Sequence, residues 1–208
     1  MVSDKASKII IQKNIENIKS YLKNRNIQID NLDEILSKIT VEIGIKKDYP
    51  YAKIDKTNSY NIIISEDIDE NDKYKWLNHE MIHVISNNLQ TTDEIHVGGI
   101  IVEDREKDIW IGQYLNEAIT EYINQSIICC KYIDYYDRYI EALDYIINII
   151  GEDIVLKAYF TNDLELIIRN LMLSTGKTRE QIVKFIDSID YLYENEDYKI
   201  GIWDRNII

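Results

Sequence analysis

The chain has 208 residues, 45% of them hydrophobic and 29% charged, which suits one substantial core and is too short for two comfortable domains. Acidic residues outnumber basic ones 37 to 24, and the net charge of −13 speaks against a phosphate-binding surface, so nucleic acid is not an expected partner. No run of about 18 apolar residues occurs, and the opening Met-Val-Ser-Asp-Lys lacks a basic-then-apolar leader, which predicts a cytoplasmic protein without a membrane partner.

In chain order, residues 4–25 carry Ile11, Ile15, Ile18 and Leu22 at helical spacing and predict an amphipathic helix that covers a sheet. Asp30 is the expected N-cap of a short helix over 31–38. Ile39, Val41, Ile43 and Ile45 alternate with Thr40, Glu42, Gly44 and Lys46, the period of a half-buried strand, and Tyr49-Pro50 ends the run. Segments 51–54 and 59–65 flank Asp55-Lys-Thr-Asn58 as a hairpin. The acidic residues 66–72 suit the positive end of a helix dipole.

Residues 76–89 then contain His79-Glu80-x-x-His83. On a helix the two histidines lie one turn apart on one face and can reach a single cation, while Glu80 sits about 100° around from His79, beside the metal and not on it. The bland alternative is a buried helix with two hydrogen-bonded histidines. Against it, the chain has only 3 histidines and two of them flank a Glu at this spacing, and Leu77, Met81, Val84 and Ile85 form the opposite, core-facing stripe.

Beyond a polar loop at 91–94, Val97 to Val102 and Ile109 to Gly112 predict a second hairpin, with Gly98 and Gly99 permitting a bulge or a close approach. The next helix, 112–123, places Glu117 and Glu121 on one face among Leu115, Ala118, Ile119, Tyr122 and Ile123. A carboxylate pair in apolar surroundings calls for a cation. Cys129 and Cys130 are adjacent, a poor geometry for a bridge, and are expected as free thiols within a helix. A helix over 131–150 stops at Gly151. Asn162 with Glu165, and Thr178 with Gln181, resemble capping boxes opening two further helices, with core stripes of Leu164, Ile167, Ile168 and Leu171, then Ile182, Phe185, Ile186 and Ile189. Tyr132, Tyr135, Tyr136, Tyr139 and Tyr145 form an aromatic-rich face that is expected to pack against the neighbouring helices, with the lining of a substrate pocket as the alternative.

His79-Glu80-x-x-His83 followed by Asn116-Glu117-x-x-Thr120-Glu121 resembles the gluzincin branch of zinc metallopeptidases, whose second motif reads Asn-Glu-x-x-Ser/Thr-Asp/Glu. The two short motifs carry the resemblance, within residues 60–125. It implies that His79, His83 and Glu117 hold one zinc ion, that Glu80 is the general base, and that Glu121, beside Asn116, orients a ligating histidine. The metzincin variant needs Gly and His where this chain has Ser86 and Leu89. Members of the gluzincin branch stabilise the oxyanion with a Tyr or His, for which Tyr114 and His96 are the candidates here.

The implied protein is an α+β, zincin-like single domain. A small N-terminal sheet with the active-site helix forms an upper lobe over about 1–90, and a mainly helical lower lobe covers about 91–208. The implied activity is a zinc-dependent metalloendopeptidase acting on a peptide or protein substrate. A catalytically silent, zinc-stabilised interaction protein and a zinc hydrolase of a non-peptide amide are the alternatives.

Overall fold

A computed structural model of the chain describes residues 4–44, 51–55, 57–87, 99–104, 109–129 and 137–191. Among them are eight helices and five strands, a mixed α+β fold. Two compact units are distinguished: Met1–His96 with Ile123–Tyr132, and Val97–Tyr122 with Ile133–Ile208.

The first unit is built on a three-stranded sheet of order β1-β3-β2, with β1 Thr40–Gly44, β2 Ala52–Asp55 and β3 Asn58–Ser65. β2 and β3 form the expected antiparallel hairpin, Ala52 opposite Ile64 and Ile54 opposite Ile62. β1 runs parallel to β3, from Thr40 opposite Asn61 to Gly44 opposite Ser65. Ile62 and Ile64, two apart on β3, are buried, as the pleat requires of residues on one face. β1 keeps the predicted alternation only weakly. Ile39 is buried, Ile43 is 38% exposed, and Ile45 falls outside the described residues, because β1 is an edge strand while the helix on the sheet packs against β2 and β3.

That helix is α3, Glu70–Asn87. Asp69 caps it, its Oδ1 accepting from the amide of Asp72 at 3.0 Å, so the acidic lead-in does its work at the positive helix end. α1, Asp4–Asn24, has α3 as its packing partner, so the helix that covers the sheet is α3 and not α1 as expected. Asn14 Nδ2 donates to the carbonyl of Tyr74 at 3.2 Å, and Asn17 Nδ2 donates to the Tyr74 hydroxyl. α2, Leu32–Lys38, opens through a left-handed Asn31 at φ 57, which makes no side-chain cap bond. Asp30 therefore stands one residue too early to cap it.

The second unit holds a short antiparallel hairpin and most of the helices. β4, Val102–Asp104, pairs with β5, Ile109–Ile111. The hairpin is the expected one, but its first strand begins where the predicted one was to end, because Gly99 turns the chain at φ +65. α4, Gln113–Ile128, follows and runs on into the first unit. Cys129, at φ 54, lies just past its end and is exposed, so it is a turn residue and not a helical one; Cys130 is outside the described residues.

α5, Asp137–Ile150, ends at Gly151 as read, and the Gly151 amide donates to the carbonyl of Ile147 at 2.8 Å. α6, Glu152–Thr161, then fills a stretch to which the motifs assigned no helix. Asn162, expected as an N-cap, instead closes α6 in the left-handed conformation. Asp163 caps α7, Leu164–Thr175, its Oδ1 accepting from the amide of Leu166 at 2.9 Å. The capping box of α8, Arg179–Tyr191, forms reciprocally: the Thr178 amide donates to Gln181 Oε1 at 3.0 Å, and the Gln181 amide donates to Thr178 Oγ1 at 3.3 Å. Both predicted core stripes, on α7 and α8, are buried. No helix of the described residues is long and apolar enough to cross a membrane.

Candidate metal centre

α3 is buried along its whole middle, Trp76 through Ser86. The stripe of Leu77, Met81, Val84 and Ile85 is buried as read, and the side that carries the histidines is closed to solvent as well: His79 is 2% exposed, His83 8% and Glu80 9%. Their spacing does what the helical pitch dictates. His79 Nε2 and His83 Nε2 lie 3.2 Å apart, with ring centroids at 4.9 Å and planes at 69°. Two nitrogens at that separation can both reach one ion at about 2.0–2.1 Å, with an angle of roughly 100° between them, close to tetrahedral.

α4 supplies the carboxylate. Donor atoms of His79, His83 and Glu117 all lie within 4.8 Å of one another, a group spaced like the ligands of His-Glu-x-x-His zinc sites and able to hold a metal ion. Glu117 is half-buried. Two imidazoles and a carboxylate are a donor set suited to zinc.

The rest of this α4 face is polar and closed to water. Asn116 is 2% exposed, and Thr120, Glu121 and Asn124 are 0% exposed. A fully buried carboxylate such as Glu121 is tolerated only when its charge is matched. Asn116 Oδ1 accepts from the amide of Ile100 at 3.2 Å, which fastens the turn before β4 to the residue beside Glu117. A Cβ on Gly99 would stand 1.9 Å from that same oxygen, so the close approach foreseen for the glycine pair is made by Gly99. Thr120 Oγ1 donates to the carbonyl of Asn116 at 2.8 Å, which uses its one proton. The Tyr159 hydroxyl, 2.7 Å away, therefore donates to Thr120. In the first unit, Asn78 Nδ2 donates to Asn124 Oδ1 at 2.8 Å, joining the residue before His79 to the C-terminal part of α4.

The two oxyanion candidates fare differently. Tyr114 is half-buried with its ring stacked on Tyr139, centroids 5.0 Å apart and planes at 18°. His96 lies outside the described residues. Tyr139 is buried and Tyr145 meets Phe185 edge-on at 6.2 Å, so these two tyrosines pack as expected, while Tyr132, Tyr135 and Tyr136 are outside the described residues.

Several neighbours of the site carried no signal in the motifs. Trp76, one turn before His79, has its ring centroid 6.0 Å from that imidazole, and Tyr51 stacks on Trp76 at 5.0 Å and 23°. A helical wheel finds Trp76, but Tyr51 and Tyr159 come from distant segments and only the fold finds them. Comparison of the chain with protein-family models, with curated protein sequences and with solved structures returned no match.

Proposed function

We propose that the chain is a zinc-dependent metallopeptidase of the gluzincin type, with His79, His83 and Glu117 holding one zinc ion. The observation that carries this reading is the meeting of these three donors, drawn from two helices, with Glu80 on the same turn as His79. A purely structural zinc site is closed by four protein ligands and needs no general base. Here three ligands and an adjacent carboxylate suit hydrolysis.

When bound, the ion supplies Lewis acidity that lowers the pKa of a water and polarises a carbonyl. The protein's own groups do the remainder. Glu80, on the ligand helix and nearly closed to solvent, takes the proton of the attacking water and delivers it to the departing amine. Glu121, fully buried one turn beyond Glu117, holds a ligating imidazole in place, which fixes its tautomer and strengthens it as a donor. An extended peptide adds alongside β2, whose outer edge pairs with no strand among the described residues and which packs directly against α3.

The test is metal content by elemental analysis joined to peptide cleavage. Wild type is expected to carry about one zinc per chain and to cut peptides in a chelator-sensitive way. Glu80→Gln is expected to keep the zinc and lose about two to four powers of ten in rate. Full activity in that variant removes Glu80 as the base. Zinc without cleavage of any peptide moves the protein to a silent, zinc-stabilised role.

A further inference from the structure

The aromatic pair beside the metal ligands has no part in holding an ion. Trp76 lies three residues before His79 and so over the preceding turn of the same helix face. Its ring is 6.0 Å from the imidazole and 8% exposed. Tyr51 covers it from the residue that leads into β2, with rings nearly parallel at 23°, and remains 43% exposed. Tyr51 is held at both ends, because its carbonyl accepts from the amide of Ser65 at 2.8 Å while its ring is stacked. The result is a continuous aromatic surface that begins at a ligand imidazole, is fixed before anything binds, and ends in solvent at the start of an edge strand.

A fixed ring with few torsions gives contact area at a small entropic cost. Its open part favours another aromatic ring over an aliphatic group of similar size, since offset and edge-on ring pairs are favoured beyond their area. A peptide added along the outer edge of β2 would have this surface at one end of its path, where Tyr51 leads into the strand.

Building on the metallopeptidase reading, we infer that the Tyr51–Trp76 stack is the wall of a subsite that selects an aromatic side chain directly beside the bond to be cut. Tyr51 is the residue the side chain meets. Trp76 sets the angle of Tyr51 and separates the guest from His79.

The experiment uses the zinc-loaded full chain and two readouts. The first is the affinity, by calorimetry, of phenylalanine hydroxamate against alanine hydroxamate, probes that need a metal but no turnover. Wild type is expected to prefer the phenylalanine compound, Tyr51→Phe to keep the preference, and Tyr51→Ala to reduce it by about two- to tenfold with zinc content unchanged. The second is cleavage-site mapping on a diverse peptide library. Aromatic residues are expected next to the cut in wild type, with the bias reduced in Tyr51→Ala. An identical preference ratio in wild type and Tyr51→Ala overturns the subsite even if peptides are cut. A site profile led by lysine or arginine overturns its aromatic character. Failure to cut any peptide, with the hydroxamate ratio behaving as expected, overturns the peptidase reading and leaves the wall as a ligand-binding surface.

Discussion

α8 buries Ile182, Phe185, Ile186 and Ile189 and leaves Arg179, Glu180 and Lys184 in water. α3 buries everything from Trp76 to Ser86, including Asn78, His79, Glu80, His83 and Ser86. The first helix is accounted for by apolar burial alone, at about 25 cal/mol per Å². The second is not. Polar and ionisable groups taken out of water destabilise a fold by some kcal/mol each unless they are matched. Nothing about core packing requires three ionisable side chains on one buried turn and a half, and the metal ion proposed above would account for them.

That division of labour gives predictions of descending size. Phe185→Ala should cost about 3–5 kcal/mol in denaturant melts through the lost ring and the cavity it leaves. Zinc affinity in the same variant should stay within about twofold, and a parallel fall in affinity would erase the contrast between the helices. Gly99→Ala adds a Cβ against Asn116 in a left-handed backbone. It should destabilise by about 2–3 kcal/mol, from the backbone strain and the loss of the Asn116 to Ile100 bond. A wild-type melting curve would show that the turn has room to adjust.

Glu121→Ala reads the polar side of the comparison. Zinc affinity in a chelator competition should fall about ten- to a hundredfold. The metal-free protein should also melt earlier than wild type, because the variant leaves the buried groups that meet this carboxylate without a partner. Unchanged affinity takes Glu121 out of the site. Asp163→Ala removes one cap from α7 and should cost about 1 kcal/mol in melts, with zinc binding untouched.

The site was more legible in the sequence than the fold around it. Helical pitch alone relates His79 to His83 and Glu117 to Glu121, so a motif on a helix carries its own geometry. Spacing cannot say which distant segments will meet it. The Thr120–Tyr159 hydroxyl pair spans 39 positions and the Tyr51–Trp76 stack joins a strand to a helix, and neither leaves a periodic trace. The errors have local causes. Asn162 and Asp163 are both good capping residues, and the chain uses one to close α6 and the other to open α7, which hid α6. Apolar residues through Val102 suggested a strand from 97, but the positive φ of Gly99 makes a turn there. Alternation in β1 was real, yet β1 is an edge strand and α3 packs chiefly on β2 and β3. α3 buries its polar side as well as its apolar stripe, since α1, α2 and the sheet all pack against it.

The Asn78–Asn124 bond carries a further consequence for how the first unit assembles. Apolar ridges are poor rulers: sliding one helix past another by a turn, about 5.4 Å, exchanges one methyl surface for much the same surface. An amide pair cannot be exchanged so cheaply. Any slip of α3 along α4 would strand two amides in a dry interior, at about 1–3 kcal/mol for each group left unpaired. Both residues are 0% exposed, so no solvent would come to their aid. A leucine pair would hold these helices together at least as firmly and would tolerate several alignments. The asparagines permit one, and they act as an index mark that fixes the alignment at this point of the two helices.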